Sequence, residues 1–458
     1  MLTARRPLAT FTALLMLSSA LAACSMVPDY QRPAVAVPAS FTGPAAKTGT
    51  VEVSSTWWSS FNDPELQGLM DEALKENLDI IAALHRVEQA QGQLRSTNSS
   101  LLPTLDASGS ASRTTSSDKS GSTRGASGAL NVSYALDLWG LYRAQSEASE
   151  ASLRSSIYAR EASVLVVQSS VATTYFNVLN LRDRLAVARE SLDAARETLK
   201  LVESRFQFGT ASGLEVSQQR TALAGIEATI PPLESELAAN LHALAILLGK
   251  APEGFDVKTA SGTGLTLPAV AVGQPSALLE RRPDIREAEA NLQSANADIG
   301  AARAAFFPSI DLSAGKSVDW IANLGTTNGS SIAASILAPI FSGGELEGNL
   351  QTAKARDAEL AATYRKTVLT AFGEVEDALA SADAYSRRQS SLTVATVEAR
   401  RSYDLSQASY KAGASDLLSV LEAQRAWLTA RDSEAQARLN QYTAAVNLFV
   451  ALGGGWKS

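Results

Sequence analysis

The chain repeats itself, and that constrains its fold more than any other feature. Shifting the sequence by 205 residues lays Leu74 on Leu279, Asp79-Ile80 on Asp284-Ile285, Ala90 on Ala295 and Leu94 on Ile299. At the same offset Leu102-Pro103-Thr104-Leu105-Asp106 meets Phe307-Pro308-Ser309-Ile310-Asp311. Further on the offset becomes 204, with Phe206 on Tyr410, Gly209 on Gly413, Leu214 on Leu418 and Val216 on Val420. A register held this long reads as a duplication, so one unit describes both halves. The repeats are expected at 63–249 and 276–452, with a linker rich in Gly, Pro and Thr at 250–275 and a short tail at 453–458.

Each half carries the same elements. Asp63 suits an N-cap and Pro64 a first helical turn, so a helix should open there and run to about Leu101. Its counterpart runs from about Asp284 to Ala305. Pro103 and Pro308 end these helices and open strand pairs. Leu105, Ala107, Gly109 and Ala111 interleave with Asp106, Ser108, Ser110 and Ser112, and Leu130, Val132, Tyr134 and Leu136 with Asn131, Ser133, Ala135 and Asp137. In the second half Ile310, Leu312, Ala314 and Val318 alternate with Asp311, Ser313 and Ser317. Ile332, Ala334, Ile336, Ala338 and Ile340 alternate with Ser331, Ala333 and Ser335. Each stretch has about the 9–11 residues that a tilted strand needs to cross a membrane. Loops rich in Ser, Thr and Gly, at 113–128 and 323–330, separate the members of each pair.

Long helices follow each hairpin. No Pro or Gly interrupts Leu141 to Phe208, a helix on the order of 100 Å at 1.5 Å per residue. A shorter one follows from about Leu214 to Leu248, and the second half repeats the pair at Glu345–Ala412 and Asp416–Leu452. Leu350, Ala353, Leu360, Tyr364, Val368, Phe372, Val375, Leu379 and Ala382 step by threes, fours and sevens, as in a coiled coil. Helices this long must pack side by side, and an Ala-rich seam lets them approach closely.

The amino terminus reads as an export signal at 1–23: Arg5 and Arg6, then an apolar run from Leu8 to Leu17 that is too short to span a bilayer. Leu21-Ala22-Ala23-Cys24 resembles a lipobox, which implies a diacylglycerol thioether and an N-acyl chain on Cys24. No other cofactor is expected. Ser25, where an Asp would favour inner-membrane retention, points to the outer membrane. Residues 24–62 should form a lipidated arm, with Trp57 and Trp58 fixing it to the helical body. The formal charge is −7, and removing Arg5 and Arg6 takes it to about −9 with no basic block, which excludes nucleic acid as an expected partner. After Cys24 no stretch is read as approaching the roughly 20 apolar residues of a membrane helix.

Four amphipathic strands cannot close a barrel, and a sheet facing lipid cannot leave open edges. Two copies would supply eight strands around a filled interior, and three would supply twelve around a channel. The small residues of the polar face argue against filling.

Further motifs give this reading a family. Trp57-Trp58 with Phe61-Asn62-Asp63-Pro64, Arg281-Arg282-Pro283-Asp284-Ile285 and Ala304-Ala305-Phe306-Phe307-Pro308 occur in order. Tyr410-Lys411-Ala412-Gly413, Leu421-Glu422-Ala423-Gln424-Arg425 and Ala451-Leu452-Gly453-Gly454-Gly455-Trp456 follow. With the lipobox, this set resembles the TolC-like outer-membrane factors, in their lipoprotein branch serving resistance-nodulation-division pumps. The resemblance implies a mainly α fold with β: a trimeric outer-membrane β-barrel, four strands per chain, continued by a long coiled-coil α-barrel. It implies a homotrimer in outer-membrane lipid, extending into the periplasm, with a periplasmic adaptor and an inner-membrane pump as partners.

Such a duct needs a gate. The long helices should turn at Phe206–Leu214 and Tyr410–Leu418, where Gly209 and Gly413 tolerate positive φ. Phe206 and Tyr410 join the two glycines as helix-turn tips and possible adaptor contacts. Matching the family's apolar and acidic rings residue by residue lands on Leu418 and Glu422, with Asp416 a further candidate. The family's acidic ring is usually Asp, where this chain has Glu422. Three carboxylates around a narrow axis would favour cations. Asp106 and Asp311, one per hairpin, are candidates to face the lumen.

No enzyme is expected. His85 and His242 stand alone, and the sequence contains no metal-spaced cluster, nucleophile elbow or phosphate loop. Three readings stay open: a passive duct for small toxic compounds, a duct for a secreted polypeptide, and a coiled-coil lipoprotein that braces the envelope without forming a channel.

Overall fold

The computed structural model of the chain describes residues 25–42, 53–115, 122–322 and 324–454. Cys24, the 1–23 segment and Gly455-Trp456 lie outside the described residues. The first repeat comprises α1 (Pro64–Glu76), α2 (Leu78–Ser99), β1 (Thr104–Thr115), β2 (Ser122–Leu136), α3 (Leu141–Gln207), α4 (Gly213–Glu227) and α5 (Ile230–Leu247). The second comprises α6 (Leu278–Arg281), α7 (Pro283–Ala304), β3 (Ser309–Ile321), β4 (Gly325–Leu337), α8 (Glu345–Lys411) and α9 (Leu417–Ala451). The chain divides into two compact units, one of residues 1–34, 85–158 and 287–366, the other of residues 35–84, 159–286 and 367–458.

The first unit holds the sheet, an antiparallel meander in the order β1-β2-β3-β4. Its register sorts the side chains onto two faces. Leu105 pairs with Val132, Val132 with Ala314 and Ala314 with Ile332; the neighbouring rows bring Leu136, Ile310 and Ile336 onto the same apolar face. The other face carries Ser, Thr, Asn, Gly and Asp, with Ser110 bonded to Ser127 (2.7 Å) and Thr104 to Ser133 (2.7 Å). Lys316, beside Leu130, and the facing pair Arg113 and Arg124 are the charged residues within the apolar rows. Every position of β1 and β4 is exposed, no position of β2 or β3 is fully buried, and the outer edges of β1 and β4 have no partner strand among the described residues. β4 stops at Leu337, short of the expected Ala338 and Ile340, because its partner begins at Ser309 and neither Pro308 nor Pro339 has an amide to donate.

Small residues set the helix packing in this unit. Ser146 donates to Asn98 (2.5 Å), and Ser294 bonds both the Ala148 carbonyl (3.0 Å) and Ser152 (3.0 Å). The arm lies along α7, where Arg32 makes a two-pronged ion pair with Glu289 (2.7 and 2.8 Å). A Cβ at Gly300 would sit 2.7 Å from the Val27 Cα, so this glycine is what lets the arm approach. Trp139 stacks on Phe307 at 4.8 Å and donates to the Pro308 carbonyl (2.8 Å), closing the foot of the sheet.

An aromatic plug forms the core of the second unit. Trp57, Trp58 and Phe61 are buried: Trp57 stacks on Phe449 at 5.2 Å, and Phe61 meets Phe176 at 5.0 Å. These residues therefore anchor the arm as expected. Asp63 caps α1 through Glu65 N (2.8 Å) and Leu66 N (3.3 Å), while its other oxygen accepts the Tyr175 hydroxyl (2.6 Å). Burial, then the bond to Asp63, pushes the Tyr175 phenol above its ordinary range. Arg282 bonds Asp284 (2.7 Å), Glu374 (2.7 Å) and the Ala451 carbonyl (3.1 Å). Burial alone would weaken its charge, but the two carboxylates outweigh that and hold it firmly protonated.

The duplication extends to single contacts. Gly249 (φ +69°) leaves no room for a Cβ because the Glu76 carbonyl fills it, and Gly453 (φ +92°) meets the Arg281 carbonyl in the same way.

Two expected helices are broken. Asn77 splits 63–101: its Oδ1 accepts from Asp79 N (2.9 Å) and Ile80 N (3.1 Å), and its amide donates to the Leu247 carbonyl (2.8 Å). The 214–248 helix divides into α4 and α5 at Ala228-Thr229, since Pro231 and Pro232 cannot donate to the preceding turn. α9 has no proline at the matching place and runs unbroken. The stretch of α3 with mean hydropathy 1.3 is also more apolar than expected. Val171, Tyr175, Phe176 and Leu179 within α3 are buried in the plug unit.

Asp63→Ala should lose both a cap and the partner of a buried hydroxyl, a cost of about 2–3 kcal/mol. A thermal melt of the detergent-solubilised protein checks it: the midpoint should fall by several degrees, and less in Asp63→Asn, which keeps the cap.

Candidate functional site

The two turns that join long helix to shorter helix are built alike. α3 ends at Gly209 (φ +72°), with Thr210 N bonding the Arg205 carbonyl (2.8 Å) and Gly209 N the Phe206 carbonyl (3.0 Å). α8 ends at Gly413 (φ +77°), with Ala414 N on the Ser409 carbonyl (2.9 Å) and Gly413 N on that of Tyr410 (3.0 Å). Both are glycine C-caps with the paired bonds of a Schellman motif. The next helices open differently. Ser212 and Glu215 form a reciprocal capping box. Asp416 caps α9 through Ser419 N (3.0 Å) and also accepts the Ser419 hydroxyl (2.7 Å).

A buried cluster ties the two turns together. Tyr410 is 2% exposed, and its hydroxyl donates to Glu215 (3.3 Å) while Arg205 lies over its ring at 4.6 Å. Arg205 also donates to the Tyr410 carbonyl (2.9 Å). Burial, then the Glu215 carboxylate, raises the Tyr410 phenol. Below it Val202, Val216, Leu417, Val420, Leu421 and Trp427 form one core, with Trp427 stacked on Tyr403 at 5.2 Å.

This core decides the face of α9. Leu417, Val420, Leu421 and Gln424 point inward, which turns Leu418 and Glu422, one helical turn apart, to the exposed side. Leu418 is 50% exposed, so it is no core residue of this chain. Both line a groove of about 730 Å³ with Leu214, Ser217 and Thr221 of α4 and Arg425 of α9. Arg425 thus brings a positive charge to the face that carries Glu422. Asp416 is exposed as well, but its carboxylate serves as the cap, and the two bonds from Ser419 hold its pKa below the ordinary carboxylate range. That capping is complete at neutral pH and is lost only as the pH falls through the depressed value.

The expected tip residues separate. Gly209 and Gly413 take the positive φ expected of them, and Phe206 is exposed. Tyr410 is buried, so its side chain offers no contact to a partner; pairing with Glu215 and Arg205 draws it inward. Phe208 (82% exposed) and Leu214 (66%) extend the apolar tip instead, and the position of Phe208 beside Gly209 was the available signal. Arg205 and Glu215 were also missed, although Ser212-x-x-Glu215 is a capping-box pattern. In the sheet, Asp106 pairs with Asn131 and Asp311 with Ser335, which puts both on the polar face as expected. Among the described residues no cluster of three or more His, Cys, Asp or Glu is arranged to hold a metal ion. His85 bonds Glu88 at 2.8 Å on an exposed helix face.

Tyr410→Ala should cost about 3–5 kcal/mol by emptying a buried ring site, while Leu418→Ala should cost under about 1 kcal/mol within one chain. Amide hydrogen exchange across 205–215 and 409–417 should quicken in the first variant alone.

The chain matches the outer membrane efflux protein family twice, over residues 69–250 and 274–454. It is 38% identical over 451 residues to the pyoverdine export outer membrane protein OpmQ of Pseudomonas aeruginosa, covering 96% of this chain and 95% of that one. It is 34% identical over 455 residues to the cation efflux system protein CusC of Escherichia coli O6:H1, covering 96% and 97%. The open-state outer membrane channel MtrE of Neisseria gonorrhoeae superposes with a TM-score of 0.84 at 30% identity, covering 94% of this chain and 98% of that one. The four strands, the paired long helices and the repeated turns thus have full-length counterparts, and this chain belongs to the outer membrane efflux protein family.

Proposed function

We propose that three copies of this chain close a twelve-stranded barrel in the outer membrane and form a passive duct for small compounds. The observation that carries the reading is the sheet, with one apolar face, one polar face and two unpaired edges. In hydrocarbon each unpaired backbone group costs several kcal/mol, so the edges require strands from other copies. The relatives OpmQ and CusC are named for pyoverdine export and cation efflux, which favours small cargo over a secreted polypeptide. An inner-membrane pump supplies the energy, and a periplasmic adaptor docks near Phe206 and Phe208, whose exposed rings suit an apolar contact.

Leu418 and Glu422 are the gate residues of this reading, set on the exposed face of α9, with Asp416 holding the start of that helix. Cys24 carries the lipid anchor, with the arm along α7 leading from it. Arg425 tempers the cation preference that three Glu422 carboxylates would otherwise impose.

Light scattering of the detergent-extracted protein, corrected for bound detergent and lipid, should give the mass of a trimer; a stable monomer would end this reading. In planar bilayers Leu418→Ala combined with Glu422→Ala should raise single-channel conductance and weaken cation preference, and unchanged currents would remove both residues from the gate. Cys24→Ser should abolish incorporation of labelled palmitate.

A further inference from the structure

Arg113 of β1 and Arg124 of β2 stand directly opposite each other in the register. Strand alternation puts both on the apolar face, on the rows that continue Leu105, Ala107 and Ala111 on one strand and Val132, Leu130 and Ala126 on the other. Both are exposed. Like charges directly opposed across a strand pair repel each other. Among the described residues neither side chain has an ion pair or hydrogen bond that would offset this repulsion. Among the described strand residues the carboxylate nearest in register, Asp319, pairs with Ser127 on the opposite face. A folded sheet that retains such a pair is suited to an external anion.

Depth identifies the anion's source. From Leu136 at the foot of β2 to Arg124 the strand rises about 40 Å at roughly 3.3 Å per residue, or about 30 Å along the normal at a tilt near 40°. The outward apolar band of a membrane barrel is about 25 Å tall, so the arginine row falls just beyond it, at headgroup level. Trp320, 45% exposed and paired with Ala126 one row below, marks the boundary as an interfacial aromatic. Two planar guanidinium forks side by side match the oxygens of a phosphate.

We propose that Arg113 and Arg124 form a clamp for the phosphate of an anionic lipid headgroup in the outer leaflet, seated above Trp320. The clamp rests on the reading that this sheet spans the membrane with its apolar face toward lipid. Its occupant removes the repulsion within the pair and fixes the depth of the barrel.

Delipidated protein would be incubated with diphosphoryl lipid A and bound lipid counted by native mass spectrometry, for the wild type and for Arg113→Gln with Arg124→Gln. The wild type should retain lipid that the double variant loses by about tenfold or more, as expected for charge-assisted hydrogen bonds. Fully dephosphorylated lipid A should not be retained by either protein. Equal retention by both proteins, or retention without phosphate, would overturn the clamp. Full displacement by millimolar inorganic phosphate would reassign the pair to free anions and overturn the lipid assignment. Insertion of both proteins into liposomes, measured in parallel, separates the premises: a wild type that fails to insert removes the membrane reading, while an inserted wild type that ignores lipid A removes only the clamp.

Discussion

Unpaired backbone groups have no partner in hydrocarbon, and two strand edges of this sheet find no partner strand among the described residues. β1 spans 12 residues and β4 13, each with one side open. In water such a sheet would be unstable for a different reason, because Leu105, Leu312, Ile332 and Ile336 lie exposed on one face. Lipid on that face, water on the other and neighbouring copies at both edges satisfy every group at once. The small residues of the polar face follow from the same arrangement, since bulky ones would fill the space that a barrel encloses.

The helices meet the same requirement locally. Every helix end leaves carbonyls or amides without intrahelical partners. Here the long helices end on Gly209 and Gly413, and the shorter ones open on Ser212 and Asp416. With their ends satisfied and Tyr410 locked between Glu215 and Arg205, the tips hold their shape while Phe206, Phe208, Leu214 and Leu418 stay exposed. Apolar surface kept exposed at so rigid a place suits contact with other chains. At the opposite extreme, the plug of Trp57, Phe61, Phe176 and Phe449 is sealed completely and fixes the start of α1 through Asp63.

Much of this was legible because period and register are properties of the chain itself. The alternation of Leu130, Val132, Tyr134 and Leu136 requires a two-faced strand whatever surrounds it, and the 205-residue offset requires two copies of one unit. Gly209 and Gly413 were readable because only glycine takes positive φ cheaply. The breaks at Asn77 and Ala228 were not anticipated. Asn77 acts by bonding a carbonyl 170 residues away, and the Pro231-Pro232 pair, although visible, fell inside a pattern otherwise continuous enough to mask it. Tyr410 was misplaced for a related reason: an aromatic beside a turn glycine is drawn to the surface or the core by its neighbours, here Glu215 and Arg205.

The sequence by itself determined the repeat, the order of strands and helices, the two faces of each strand and the glycine turns at Gly209 and Gly413, because these depend on spacing and on residues with special backbone freedom. The expected loops 113–128 and 323–330 are largely strand, since backbone pairing carries the hairpins past the apolar alternation. Only the tertiary structure decided which side of α9 is buried, and so that Leu418 and Glu422 look outward while Leu417 and Leu421 do not. It alone set Arg113 opposite Arg124, since the register between two strands follows from their full pairing. A single strand fixes which residues share a face; which residues of another segment lie beside them depends on packing that no local pattern encodes.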